Sequence, residues 1–401
     1  MAEPRRDVVI TGIGIVSSLG EGLDAHWRKL EEARPGADSQ TYAPCVVHPI
    51  VAIDFDKQIP KKGDQRQMEP WQRIGTYAAG LALENAGIKG NAELTSRMDM
   101  IVAAGGGERD ATVDGAILTG MRSAPSKEDF INERLMSDLR PTLFLAQLSN
   151  LLAGNISIVH GVTGSSRTFM GEESSGFDAV RIALQRIQAG QSDITLVGGA
   201  HNGERKDMLM LYGAGGYTLK GGYSPVWDRA AQGGGFALGS LGAFLVLESR
   251  EHAAARGATP IARLAAVLAE SARRQDGQIT AALDGMWERL AAANKIDEAH
   301  AAIISGASGA EPATAEERAF LGHHKALPVR ATGSHIGHGP EPQFAMNIAL
   351  AALALKHGRL FAPVPDPSGM EQPMNGALTQ VVVTGVGHWR GEGLALVETA
   401  N

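Results

Sequence analysis

Residues 165–202 read SSRTFMGEESSGFDAVRIALQRIQAGQSDITLVGGAHN. The stretch divides into a glycine-marked turn, a helix and a buried strand. Within the helix, Phe177, Val180, Ala183, Leu184 and Ile187 fall at i, i+3, i+6, i+7 and i+10, forming one apolar stripe that Gly190 ends. Ser174 and Ser175 are good caps for its start. Glu173 then stands at the helix N-terminus, where unpaired N–H groups and the dipole stabilise an anion by roughly 0.3–1 kcal/mol. The same place lowers a cysteine's pKa into the working range, so a glutamate occupies a position suited to a nucleophile.

Outward from this stretch, strand and helix patterns alternate. "DVVITGIGIVSSLG" (7–20) is a β-branched run ending in glycines, expected to be a buried strand followed by a tight turn and a helix through "AHWRKLEEA". Its glycines follow G-x-G-x-x-x-x-x-G with no acidic residue closing a second strand about 20 residues on, so they do not make a dinucleotide site. "EPWQRIGTYAAGLALENAGI" (69–88) opens with a proline at a first helical position and closes at Gly87, marking a helix. Strands are expected at "DMIVAAGGG" and "GAFLVLES". "LRPTLFLAQLSNLLAGNISIVHG" (139–161) reads as a helix ending near Gly154 followed by a strand.

The second half continues the alternation. "PIARLAAVLAESARR" and "HAAIISGAS" read as strands, "QITAALDGMWERLAAAN" and "PQFAMNIALAALALKHG" as helices, and "LTQVVVTGVG" with "EGLALVETA" as a closing strand pair. This is a mixed α/β architecture with helices covering sheets. "VVITGIG" at 8–14 and "VVVTGVG" at 381–387 echo each other, a short match that is weak evidence of a duplicated unit.

The 401 residues give two or three lobes at about 150 residues each. A net charge of -7 without a long basic run argues against nucleic acid or an anionic membrane as main partner. The start moves from two arginines straight into a strand pattern, without the apolar region of about 7 to 15 residues of a signal peptide. No apolar run reaches the roughly 18 residues of a membrane span, so a soluble, cytoplasmic protein is expected. The single cysteine, Cys45, excludes a disulfide framework and lacks a pKa-lowering helix entry. His335-x-x-His338, with His323 and His324 upstream, lies in glycine-rich sequence without a carboxylate pair at useful spacing, and no metal is expected.

The motifs taken together resemble an elongating β-ketoacyl-ACP synthase of the thiolase superfamily, nearly end to end. The matching stretches are "DVVITGIGIVSSLG" with "HWRKLEEARPG", "NLLAGNISIVHG", "ESSGFDAV" with "IQAGQSDITLVGGA", "FALGSLGAFLVLE" and "RATGSHIGHG". The resemblance implies a thiolase fold: duplicated α/β halves in five α-β-α-β-α layers, an N-terminal half with insertions at 1–250 and a C-terminal half at 251–401. The family's T-A-C-S-S-G motif laid over "GEESSG" puts the nucleophilic cysteine at Glu173. Its first histidine, in N-A-H-G-T, falls on Ala307 or Ser308 according to a one-residue shift. Its second, in K-x-x-x-G-H, falls by ungapped match on His335, with Arg330 at the lysine. The closing G-F-G-G-T-N loop becomes "GVGHWRGEG", placing His388 and Trp389 at the gate.

These replacements remove what condensation needs, because acyl transfer requires a thiolate. By resemblance the chain is catalytically degenerate: a chain-length or specificity subunit paired with an active synthase in fatty acid synthesis, very long chains included, or polyketide synthesis. One alternative is a malonyl-ACP decarboxylase using Glu173 and His335; it loses force because an ionised Glu173 repels the malonyl carboxylate. Another is a homodimeric acyl- or ACP-binding scaffold. Glu172 and Glu173 are not expected to make an acid/base pair, since adjacent side chains usually point apart. The cluster holding Lys61, Lys62, Arg66 and Arg73, with Lys57, suits an acidic acyl carrier protein, against the plain alternative of a solvated charged face. The expected partners are the carrier protein and a homodimeric or heterodimeric synthase-like chain; no cofactor is expected.

Overall fold

Ten consecutive residues of strand β1 (Val8–Ser17) are buried, which a β-branched run needs when elements cover both faces of a sheet. In this computed structural model, which describes residues 5–138, 147–365 and 367–400, β1 lies near the middle of a mixed sheet. After the short β2 (Gly20–Glu21) and β3 (Val47–His48) come β4 (Asp99–Ala103), β5 (Ser166–Phe169), β6 (Ile194–His201), β7 (Leu238–Gly239) and β8 (Leu241–Ser249). Strands β9 (Ala262–Glu270), β10 (Ala301–Ser305), β11 (Val329–Ala331), β12 (Gln380–Val386) and β13 (Glu392–Glu398) follow. The sheet order is β11-β10-β12-β13-β9-β1-β8-β6-β4-β5, with β2 beside β1 and β3 paired to β7.

The two wings repeat one pattern. In each, two outer pairings are parallel and the two inner ones antiparallel. Only Val9–Arg263 and Ile10–Ala262 join them, through β1 and β9. By position β12 corresponds to β6, not to β1, so the echo between residues 8–14 and 381–387 does not mark equivalent strands. It reflects two interior strands under the same packing demand. In β1, Gly12 and Gly14 are there for close approach: a Cβ at either would collide with the backbone of the helix Pro70–Asn85.

That helix starts as its sequence indicates, with Pro70 in the first turn and a Glu69/Gln72 capping box. With the helix Leu151–His160 it covers β1, β6 and β8 on the outside. Helices Gln278–Ala293 and Ala313–His323 cover β9, β12 and β13. Between the wings lie the helices Glu173–Gln188 and Gln343–His357, each touching strands of both. The layers are therefore α-β-α-β-α. The Gln343–His357 helix is buried from Gln343 to Leu355, consistent with its being apolar on every face. Phe177 and Phe344 lock the two middle helices edge to face at 5.0 Å.

One segment differs from expectation. Residues 151–160 are helical, and the strand comes later, as β5. "NISIV" has strand-like composition, but Leu152, Ala153 and Ile156 share one helical face against the Pro70–Asn85 helix, and packing overrides propensity. Residues 139–146 of the helix expected there lie outside the described residues. No described helix is long and apolar enough to cross a membrane.

Candidate functional site

Between β5 and the first middle helix the chain turns through Gly171 (φ 140°) and Glu172 (φ 55°, ψ -133°). A non-glycine residue at this φ is strained, and such residues cluster at functional turns. The turn delivers Glu173 as the first helical residue, 3% exposed. Ser174 and Ser175 are not caps: their hydroxyls donate back to Gly171 O and Glu172 O at 2.6 Å each, because both already lie inside the first turn.

Glu173 Oε1 accepts from His338 Nε2 at 2.7 Å, from His388 Nδ1 at 2.8 Å and, at 3.3 Å, from the His388 backbone N–H. Burial alone pushes this carboxyl up. The hydrogen bonds and charges of His338 and His388 more than reverse that, holding it far below the usual carboxylate range. His388 answers in kind: burial disfavours its charged ring, yet the bond to Glu173 and the charges of Glu173 and Glu172 raise its pKa. Glu172 Oε1 faces the opposite nitrogen, Nε2, at 3.8 Å. The neighbouring carboxyl groups thus converge on one imidazole ring. Glu173 Oε2 has no partner and borders a cavity of about 10 Å³ lined also by Phe177, Gln343, Asn347 and Thr384, room for one water.

Two loops bring the histidines in. The short helix Gly333–Ile336 ends at Gly337 (φ 71°, ψ -164°), where a Cβ would press on His48 and Ala237 O. The chain then runs beside β7, with His338 N–H donating to Ala237 O at 2.8 Å. His388 sits on the turn closed by Gly387 N–H to Gly391 O at 2.8 Å. Arg274 braces that turn, pairing with Glu392 and donating to Gly387 O at 2.9 Å.

His335, the histidine the ungapped match selects, is not at this site. It is fully buried, both ring nitrogens lack partners, and Phe361 packs on it at 5.6 Å. Burial, with Arg330 nearby, lowers its pKa to about 3. Arg330 holds carbonyls instead, those of Phe361 and Val329 at 2.7 Å and of Gln372 at 2.9 Å. The physical reason for the difference is the Gly337 turn, which rotates the chain three residues further on. Gly337–His338 is also the Gly–His dipeptide that the motif asks for, with Gly333 at the lysine position.

Ala307 and Ser308 lie in a buried loop after β10 and bring no imidazole; Ser308 Oγ accepts from Ala310 N–H at 3.2 Å. Trp389 is 62% exposed beside His388. Of the basic cluster, Lys61 and Arg66 are exposed, Lys62 pairs with Asp56 at 2.5 Å, and Arg73 lies over Phe55 at 5.7 Å. Lys62, Arg66 and Arg73 border one open depression, and none of the four touches Glu173. From the sequence His338 was weighed only as a metal ligand and Glu172 only as half of an acid/base pair, and both were set aside; Tyr212, Tyr217 and Phe236 were not singled out. Glu172, Glu173 and His388 bring donor atoms within 4.8 Å of one another, the spacing of a set that could hold a metal ion.

Comparison with known proteins agrees with this frame. A family model described as "Beta-ketoacyl synthase, N-terminal domain" matches residues 5–253. The chain is 25% identical over 265 residues to 3-oxoacyl-(acyl-carrier-protein) synthase 2 of Vibrio cholerae, covering 63% of this chain and 60% of that one. It is 26% identical over 386 residues to the tetracenomycin polyketide synthase ketoacyl synthase beta subunit of Streptomyces glaucescens, covering 92% and 89%. Among solved structures, the ishigamide ketosynthase/chain length factor superposes with a TM-score of 0.79 over 99% of this chain and 100% of that one, at 20% identity.

Proposed function

From the premise that the chain belongs to the β-ketoacyl synthase family, we propose that it is a non-condensing subunit, setting chain length or specificity beside an active synthase in fatty acid or polyketide synthesis. One observation carries this reading: at the nucleophile position both nearby histidines donate to a single buried carboxylate oxygen. A carboxylate held so far below its usual range is a weak nucleophile and a weak base. The N–H groups a thioester oxygen would need are spent on Glu173, and the adjoining space, about 10 Å³, is large enough for one water and too small for an acyl group.

The resemblance to a ketosynthase/chain length factor and to a synthase beta subunit supports pairing. So does the edge of the sheet. Strand β5 ends the strand order, and exposed apolar side chains lie on neighbouring segments: Ile158 at 72% and Met170 at 64%. We assign the pairing to this face, the halves to residues 1–250 and 251–401, and carrier-protein docking to Lys61, Lys62, Arg66 and Arg73. Decarboxylation fits less well, because a malonyl carboxylate would enter beside Glu172, Glu173 and Glu341, three carboxyl groups that already influence one another.

Native mass spectrometry of the tagged protein captured from its own lysate tests the reading. A one-to-one complex with a cysteine-bearing synthase is expected. A homodimer without synthase, together with acetyl-ACP formation from malonyl-ACP that disappears in Glu173→Ala, would establish the decarboxylase instead; a homodimer without turnover would leave the scaffold.

A further inference from the structure

The ring of His388 fills a chamber walled by two glutamates and three aromatic rings. Carboxylates face its two nitrogens, Glu173 at 2.8 Å and Glu172 at 3.8 Å. Three aromatic rings stand round it, Tyr217, Tyr212 and Phe236, with centroids at 4.8, 5.3 and 5.4 Å. All three stand nearly perpendicular to the imidazole, at 72°, 84° and 76°, with centroids inside the roughly 6 Å reach of a cation–π contact. His388 reaches the chamber from the tip of a turn, and its neighbour Trp389 is in solvent.

The remaining charges near the ring do not offset those glutamates. Arg274, behind the turn, is spent on Glu392 and on backbone carbonyls. Arg390, on the turn itself, lies by Gly171. His338 donates to the oxygen that His388 also uses, and Glu341 adds a further carboxyl group behind Glu172.

We propose that Glu172, Glu173, Tyr212, Tyr217 and Phe236 form a cation-binding cage whose resident occupant is the imidazolium of His388, and which accepts a free imidazolium once that side chain is removed. The ligand class is a small organic cation. The inference stands on the cage alone and holds whether or not the chain is a synthase subunit.

The test is imidazole binding to purified His388→Gly by calorimetry, at about pH 6, where imidazole is charged, and at about pH 9, where it is neutral. One saturable site per chain is expected near pH 6, at least about 10-fold weaker near pH 9 and absent from both the wild type and His388→Gly/Glu173→Gln. Absence of a saturable site in folded His388→Gly, equal affinity at the two pH values, or binding unaffected by Glu173→Gln overturns the proposal. If His388→Gly does not fold, 15N shifts of the His388 ring in the wild type decide at about pH 7. Two protonated nitrogens are expected there, and a neutral ring overturns the cage.

Discussion

Glu173 Oε1 and His338 Nε2 meet at 2.7 Å across 165 residues of sequence, both side chains almost without solvent contact. The bond joins the first turn of one middle helix to the loop that leads into the other. It therefore ties the two elements that contact both wings of the sheet, and His388 brings the closing β12–β13 turn to the same oxygen. Three separate segments thus cross at one carboxylate oxygen.

Truncating the carboxylate tests that role. Glu173→Ala removes the anion and leaves His388 buried among Glu172 and three aromatic rings, and breaking a buried pair from one side costs about 3–5 kcal/mol. Glu173→Gln keeps the shape and one acceptor but loses the charge, and is expected to cost less. Urea unfolding at neutral pH orders the three proteins: wild type, then Gln, then Ala. Equal stability of wild type and Ala would show that the crossing point holds nothing together.

The pair also predicts a pH profile. Glu173 is depressed in the fold, so its contribution is present above the ordinary value of 4.5 and is lost only as pH falls through its much lower folded pKa. His388 is raised, so its contribution is complete below 6.5 and fades as pH climbs through the higher folded value. The neutral buried histidines act on the other side. Burial lowers His335 and His48 to about 3 and His26 and His160 to about 4. The unfolded chain binds those protons first, and stability falls from about pH 6.5 downwards. His388→Phe should flatten the alkaline limb, and His335→Phe should make the acid limb shallower by one histidine's share of the four while leaving the alkaline limb in place. Thermal melts across pH 4 to 9 read both, and a variant that alters neither limb contradicts the assignment of charge.

Much of the fold was legible because its strands are β-branched and glycine-bounded and its helices carry clear stripes. Phe177 to Ile187 is such a stripe, and all five residues are buried. The 151–160 helix was not legible, since its strand-like composition is overridden by a partner helix that periodicity does not reveal. Glu173 was found from its place before a helix. His338 was not, because counting from Arg330 without a gap fixed on His335, although Gly337–His338 carried the motif's dipeptide. The cage was beyond reach: Glu172, Tyr212, Phe236 and His388 come from four separate segments, and only the folded chain brings them together.

A cysteine introduced at Glu173 is not expected by itself to give condensation. Glu173→Cys puts a thiol at the helix N-terminus, where its pKa falls, and frees His338 and His388. No imidazole stands at Ala307 or Ser308, and loss of one oxyanion donor typically costs about 10²–10³ in rate. With acyl-ACP and malonyl-ACP, ketoacyl product is expected to stay at background. Robust product formation would sink the account of this site.

On the proposed reading the edge face takes a synthase and the basic depression a carrier protein, so substitutions at the two should separate cleanly. Met170→Asp and Ile158→Asp place charge on side chains that are already exposed, so the isolated chain should melt within about 0.5 kcal/mol of wild type. Desolvating those carboxylates at an interface is costly, and the synthase complex should be lost. Reversing Lys61, Lys62 and Arg66 to glutamate should leave that complex intact and weaken carrier-protein binding, with a shallower salt dependence, as for any steering charge. Arg73 is left alone because it is half-buried over Phe55, and changing it would confuse packing with charge. Native mass spectrometry reads the first pair and carrier titration at two salt concentrations the second. If the aspartate variants keep the synthase while the glutamate variant loses it, pairing runs through the basic depression and the two surfaces exchange roles.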